Sequence, residues 1–256
     1  MSRIASALAR RKALIAYITA GYPSTDATLE AVPTLARCGC DIVEIGIPFS
    51  DPLADGATIQ KASYHALQNE VTPHLCLELA RQLRRRVDIP LLFMTYYNPL
   101  FSFGLAGFCR ACREVGVDGL IVPDLPPEEG GELEASASES GIDLVYLLAP
   151  TSSDARIDLV AQRSSGFIYV VSIAGVTGAR DDLPNDLEDF VTRVRQRTSL
   201  PLCVGFGIST AEQARRVAAV ADGVIVGSRL IQLLEGGSNS ELSEFVGGLR
   251  HAIDTC

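Results

Sequence analysis

Ile42-Val-Glu-Ile-Gly-Ile-Pro-Phe-Ser-Asp-Pro-Leu-Ala-Asp55 opens with an apolar run over residues 42–47 and passes without a break into a loop of prolines and carboxylates. Continuous apolar, β-branched character belongs to a strand buried on both faces, not to the half-exposed strand that alternates polar and apolar residues. Comparable runs recur at 14–19, 91–96, 120–122, 144–148, 167–171, 202–206 and 224–226. Stretches of helical period lie between them, at 26–38, 75–86, 108–115, 154–163, 187–197 and 211–220. Eight buried strands alternating with helices define an α/β fold, a (β/α)8 TIM barrel with a parallel sheet.

The punctuation agrees with that phasing. Pro90 and Pro201 each precede a strand, and Gly39, Gly116, Gly141 and Gly166 fall where a helix should end and the chain turn back. Ile4, Leu8 and Arg11 share helical spacing behind a Ser2 cap, which predicts an extra N-terminal helix closing the barrel bottom. The segment 236–239 reads as a turn before a last helix that buries Leu242, Phe245, Val246, Leu249 and Ile253. With no linker or low-complexity segment, residues 1–256 are expected to form a single barrel domain.

Composition narrows the function. Twenty-two basic residues against 31 acidic ones give a net charge of −9, which argues against general binding to nucleic acid or to an anionic membrane. The seven cysteines are scattered and odd in number, as buried free thiols in a reducing compartment would be. Neither Cys38 with Cys40 nor Cys109 with Cys112 has a second pair or nearby histidines to complete a four-ligand metal site. The N-terminus lacks the apolar segment of a signal peptide and no run is long enough to span a bilayer, so a cytoplasmic location is expected.

In a barrel the working residues project from the C-terminal ends of the strands. The second run carries Glu44 among Ile42, Val43, Ile45 and Ile47, surroundings that penalise an ionised carboxylate and raise its pKa toward proton-transfer use; a paired structural acid is the plainer reading. Asp55 alone would be a loop former, and its claim rests on sharing a rim with Glu44. The seventh and eighth runs end in Val204-Gly-Phe-Gly-Ile-Ser209 and Val226-Gly-Ser-Arg229, whose glycines let backbone amides approach an anion. A short helix opened by Gly227 and Ser228 would aim its positive end at a phosphate, although tight turns also need glycine. Phe206, between two glycines, is a candidate ligand-facing ring. Tyr17 and Tyr169, within the first and sixth strands, are candidates to face the pocket, though strand aromatics are more often plain core. Pro48, Asp51, Asn98 and Pro99 belong to two proline-stiffened segments on the same rim that expose apolar side chains. The basic run Arg84-Arg-Arg86 lies at a helix end, where cations meet the dipole, and takes no function here.

Over nearly its whole length the chain resembles the tryptophan synthase α subunit family. The likeness rests on Glu44-Ile-Gly-Ile-Pro-Phe-Ser-Asp-Pro-Leu-Ala-Asp-Gly56, with Pro123-Asp-Leu-Pro-Pro-Glu128, Gly175-Val-Thr-Gly178 and Gly205-Phe-Gly-Ile-Ser209 in the same order. It implies a retro-aldol lyase that splits indole-3-glycerol phosphate into indole and glyceraldehyde 3-phosphate. Glu44 would then be the acid/base carboxylate and Asp55 its partner on the indole N–H. Tyr17, Tyr169, Thr177 and Phe206 would line the substrate, while Gly178, Gly207, Gly227 and Ser228 would hold the phosphate. The resemblance implies no metal or organic cofactor in this chain, pyridoxal phosphate belonging to a partner β subunit in an α2β2 assembly. Pro48, Asp51, Asn98 and Pro99 would lie where that subunit docks.

One position departs from the pattern. Ile173 stands where some members of the family carry an arginine in the loop after the sixth strand, and Arg180 follows in the same loop, which is expected to close over substrate. A stand-alone indole-3-glycerol-phosphate lyase and a non-catalytic activator barrel are the alternatives, the intact Glu44 and Asp55 counting against the latter. A sugar-phosphate isomerase would explain the phosphate loops but not the motif of the second strand.

Overall fold

The computed structural model describes residues 2–171, 187–205 and 207–256. Its strands are β1 (Ala13–Thr19), β2 (Ile42–Gly46), β3 (Leu91–Met94), β4 (Gly119–Ile121), β5 (Asp143–Val145), β6 (Leu147–Leu148), β7 (Ile168–Val171), β8 (Leu202–Gly205) and β9 (Gly223–Val226). They pair in parallel in the order β5-β4-β3-β2-β1-β9-β8-β7-β6. The two ends of that order are consecutive in the chain, separated by Tyr146 alone, whose carbonyl accepts from the Tyr169 N–H at 3.0 Å. The sheet therefore closes on itself, and β5 with β6 make up the fifth of the eight expected strands. Tyr146 interrupts it by turning outward, where its hydroxyl donates to Glu134 at 2.7 Å.

The helices are α1 (Arg3–Leu8), α2 (Thr25–Arg37), α3 (Ala57–Gln68), α4 (Pro73–Arg84), α5 (Tyr97–Phe103), α6 (Leu105–Val115), α7 (Gly131–Ser140), α8 (Asp154–Arg163), α9 (Leu187–Arg195), α10 (Ala211–Val220), α11 (Ser228–Glu235) and α12 (Asn239–Asp254). Three of them escape a search for apolar periodicity. α3 buries only Ala62, Ser63 and Ala66, and α7 buries Leu133, Ser136 and Ala137, so neither has the large apolar stripe that such a search detects. α5 occupies what reads as a turn at Asn98-Pro99, because proline is compatible with the first turn of a helix.

Strand residues alternate between two cores. Leu14, Ala16 and Ile18 of β1, with Val43 and Ile45 of β2, face the outer shell beneath the helices. Ala13, Ile15, Ile42, Leu92, Ile121, Val145, Phe167, Cys203 and Ile225 fill the barrel and meet Ile4, Ala7 and Leu8 of α1 at its lower end. Ser2 caps α1 as expected, accepting from the Ala5 N–H at 3.2 Å. The plug thus follows from a capped, one-sided apolar helix.

The lower rim is fastened four times by one device. A polar residue just before each even-numbered barrel strand accepts the backbone N–H of a leucine at the start of the preceding strand. Asp41 takes Leu14 at 2.9 Å, Asp118 takes Leu91 at 3.0 Å, Ser165 takes Leu144 at 2.8 Å and Asp222 takes Leu202 at 2.8 Å. The three aspartates each also bind an arginine from a surrounding helix: Arg250, Arg84 and Arg195. With the lower end plugged and clamped, the upper end is free to carry the chemistry.

Candidate active site

Parity within β2 decides where Glu44 goes. Val43 and Ile45 belong to the outer shell, so Glu44 points into the barrel, in register with Tyr17 of β1 and Leu92 of β3. The residue is fully buried, and among the described residues neither carboxylate oxygen has a hydrogen-bond partner. An isolated carboxylate without donors is costly to ionise there, and burial pushes its pKa up to about 8. Burial thus favours the protonated form at neutral pH, and among the described residues no cation or donor pairs with Glu44 as one would with a structural acid.

Asp55 ends the loop that leaves β2, immediately before the Gly56 cap of α3. The loop is tied at several points. The Ser63 hydroxyl accepts from the Phe49 N–H at 2.9 Å and donates to the Phe49 carbonyl at 3.1 Å, while the Gln60 amide donates to the Asp55 carbonyl at 2.8 Å. Tyr96, just beyond β3, supplies a further tie: its hydroxyl accepts from the Ala54 N–H at 2.9 Å and its ring packs 5.2 Å from that of Phe49. Burial raises the Asp55 pKa to about 6, and the Tyr96 hydroxyl, donating to the carboxylate, restrains the rise. Tyr96 was not among the residues the sequence singled out, although the parity of β3, inward at Leu92 and Met94, carries on to it.

Tyr17 and Tyr169 complete the upper layer. A side chain at Gly46 would strike the Tyr17 hydroxyl and one at Gly205 the Tyr169 hydroxyl, at 2.2 and 2.5 Å, so each ring lies over a strand glycine. Burial raises both phenols well above their ordinary value, with Asp55 and Glu44 adding to the rise in each. Two protonated phenols and two carboxyl groups of raised pKa thus share one end of the barrel.

The segments after β8 and β9 belong to the same end, β9 lying beside β1 in the sheet. Gly227 precedes α11 without any side-chain cap bond, leaving the amides of the first turn, beginning with Ser228, available to an anion. A side chain at Gly227 would press the Tyr17 ring at 3.3 Å, so packing also accounts for that glycine. Gly207 is different: a side chain there would meet nothing within 4 Å, and its backbone angles do not demand glycine. What its absence keeps open is approach to the main chain. Thr177, Gly178 and Phe206 lie outside the described residues, as do Ile173, Arg180 and the expected closing loop.

On the rim, Asp51 and Asn98 are exposed and Pro99 is half-buried, whereas Pro48 is buried within the chain. The two segments do expose apolar side chains, as expected, through Leu53 at 92% and Phe101 at 63% exposure. Among the described residues no group of three or more His, Cys, Asp or Glu side chains could hold a metal ion, and no helix is long and apolar enough to cross a membrane.

Comparison with known proteins places this geometry. The family model described as tryptophan synthase alpha chain matches residues 5–247. The tryptophan synthase alpha chain of Dehalococcoides mccartyi is 55% identical over 99% of this chain and 100% of its own length. That of Geobacter sp. strain M21 is 47% identical over 99% of this chain and 97% of its own. Among solved structures, tryptophan synthase subunit alpha from Legionella pneumophila superposes with a TM-score of 0.92 at 36% identity, each chain being covered completely.

Proposed function

Because this chain belongs to the tryptophan synthase alpha chain family, we propose that Glu44 is the proton-transfer group with which it splits indole-3-glycerol phosphate into indole and glyceraldehyde 3-phosphate. The observation that carries this reading is a fully buried carboxyl group pointing into the upper barrel, its pKa raised to about 8 and neither oxygen partnered among the described residues.

The pKa sets the order of events. At neutral pH Glu44 holds a proton and gives it to the indole ring at C3, leaving the positive charge of an indolenine at the ring nitrogen. Asp55, ionised above about pH 6, accepts a hydrogen bond from that N–H and stabilises the charge. The bond from ring C3 to the glycerol side chain then breaks, its electron pair returning to the ring. The adjacent hydroxyl gives up its proton to Glu44 and becomes the aldehyde of glyceraldehyde 3-phosphate. One proton enters and one leaves, so Glu44 ends in its starting state. Tyr17, Tyr169, Thr177 and Phe206 line the indole, while Gly178, Gly207, Gly227 and Ser228 hold the phosphate, whose charge the free amides of α11 favour.

Residues 1–256 act as one barrel domain in the cytoplasm. The chain needs no cofactor of its own, since pyridoxal phosphate lies in the β subunit that is its family's partner. An α2β2 assembly with Pro48, Asp51, Asn98 and Pro99 at the docking rim follows from that kinship, with Leu53 and Phe101 supplying the apolar surface. The test is indole release from indole-3-glycerol phosphate by the purified chain, followed against pH. A profile of kcat/KM falling below about pH 6 and above about pH 8 is expected from the two carboxyl groups. Absence of indole release with and without a β subunit would reject the reading.

A further inference from the structure

The stretch Pro123-Asp-Leu-Pro-Pro-Glu128 leaves β4 on the upper rim, and no step assigned to Glu44 or Asp55 uses it. Its Asp124 is exposed and reaches across to α5, where the carboxylate accepts the Tyr97 N–H at 2.9 Å. Tyr97 is the first residue of that helix. With seven residues, α5 fully buries only Leu100, has no acidic residue in its first turn and receives no cap bond from the Tyr96 side chain. A short helix with so little apolar burial depends on its end contacts for its position. Asp124 supplies from another loop both the acceptor and the negative charge that this first turn lacks.

The amide that Asp124 holds is one peptide bond from Tyr96. The Tyr96 hydroxyl accepts from the Ala54 N–H at 2.9 Å and donates to the Asp55 carboxylate. Around this junction the backbone is fixed: the Thr95 N–H donates to the Ile121 carbonyl at 3.0 Å and the Leu125 N–H to the Val122 carbonyl at 3.1 Å. Burial first and Asp55 next raise the Tyr96 phenol above its ordinary value, and Asp124 adds to the rise, so its charge is felt at that hydroxyl. Two hydrogen bonds and one peptide unit thus lead from Asp124 to Asp55, whereas a plain helix cap would stop at the first of them.

We propose that Asp124 is a positioning residue for the lyase reaction: by fixing the first turn of α5 it fixes the Tyr96 hydroxyl, and through that hydroxyl the Asp55 carboxylate that receives the indole N–H. This role presupposes that of Asp55 in the cleavage of indole-3-glycerol phosphate. Losing Asp124 leaves the pocket in place and displaces the group that stabilises charge at the ring nitrogen, so the effect falls on turnover and not on substrate binding.

Steady-state indole release by the full chain alone tests this, with kcat and KM measured for wild type, Asp124→Ala, Asp124→Asn, Tyr96→Phe and Asp124→Ala/Tyr96→Phe, and with Asp55→Asn in parallel. Without a β subunit, effects on docking at this rim do not enter. Asp124→Ala should lower kcat about tenfold or more and leave KM within about twofold of wild type. Asp124→Asn, whose amide oxygen can accept the Tyr97 N–H, should recover most of that loss. In the Tyr96→Phe background Asp124→Ala should cost less than about twofold further, because residues that act as a unit are not additive. The thermal midpoint should stay near that of wild type, since Asp124 is exposed. An unchanged kcat in Asp124→Ala, no recovery in Asp124→Asn, or losses that multiply in the double variant would each overturn the proposal, and a strongly impaired Asp55→Asn would then leave the role of Asp55 standing. Near-normal turnover in Asp55→Asn would overturn both.

Discussion

A carboxyl group with no hydrogen bond inside a barrel makes stability depend on pH, and for Glu44 the sign is fixed by its surroundings. An unfolded glutamate titrates near about 4.3, the folded one near about 8, so between those values the folded chain holds the extra proton. Its contribution is full below about pH 4 and is lost as pH rises to about 8, after which it levels. Asp55, raised to about 6, adds a loss of the same sign at lower pH. Glu44→Gln should flatten the slope and be more stable than wild type at about pH 9, as expected where function opposes stability. Denaturant midpoints of both proteins at about pH 5 and pH 9 check this; parallel slopes would count against a neutral, buried Glu44. Tyr96 permits a second prediction. Its hydroxyl lowers the Asp55 pKa, so Tyr96→Phe should move the acid limb of the kcat/KM profile above about pH 6 and leave the limb near 8 in place. An unmoved acid limb would show that Asp55 does not depend on that hydroxyl.

Elements place these residues, and they were unequally legible in the sequence. Strands buried on both faces announce themselves as unbroken apolar runs, which is why β2 and the loop beyond it carry both the fold and the two carboxyl groups. The helices α3 and α7 were silent because alanine and serine form their buried faces. Pro48 reads as a stiff surface residue yet is buried, whereas Leu53, in the same loop, is the exposed one; composition cannot tell which way a loop turns. Tyr96 was within reach through the parity of β3 but lies past the end of the strand. The uncapped start of α11 motivates Ser228→Asp, which adds negative charge where a phosphate should sit. It is a cleaner variant than one at Gly227, where a side chain would press Tyr17. An acidic residue in the first turn favours the helix itself, so the variant should fold normally and bind phosphorylated ligands weakly. A dephosphorylated analogue should bind as to wild type, and equal losses for both would contradict a phosphate role. At the lower rim, Asp118→Ala removes both the Arg84 pair and the Leu91 N–H acceptor, and should cost about 1–3 kcal/mol in a denaturant titration. A change within experimental error would mean that the clamp is dispensable.

At the scale of the whole molecule the lower end is closed by α1 and its clamps, and the upper end joins the site to an apolar rim. Indole is small and uncharged and would escape through membranes, so direct passage into a second active site has a chemical rationale. The rim residues Asp51 and Leu53 lie in the loop that ends at Asp55, and Tyr96 ties that loop to the start of α5, where Asn98 and Pro99 sit. A β subunit docked there would act on the position of Asp55 by favouring one arrangement of the loop. The most direct test is steady-state indole release from indole-3-glycerol phosphate by wild type and Glu44→Gln, each with and without a β subunit. The expected result is a slow wild-type chain that the β subunit accelerates, and a Glu44→Gln chain that binds substrate nearly as well but turns over about 10²–10⁴-fold more slowly in both conditions. Near-normal turnover by Glu44→Gln would contradict the assignment of proton transfer to this residue.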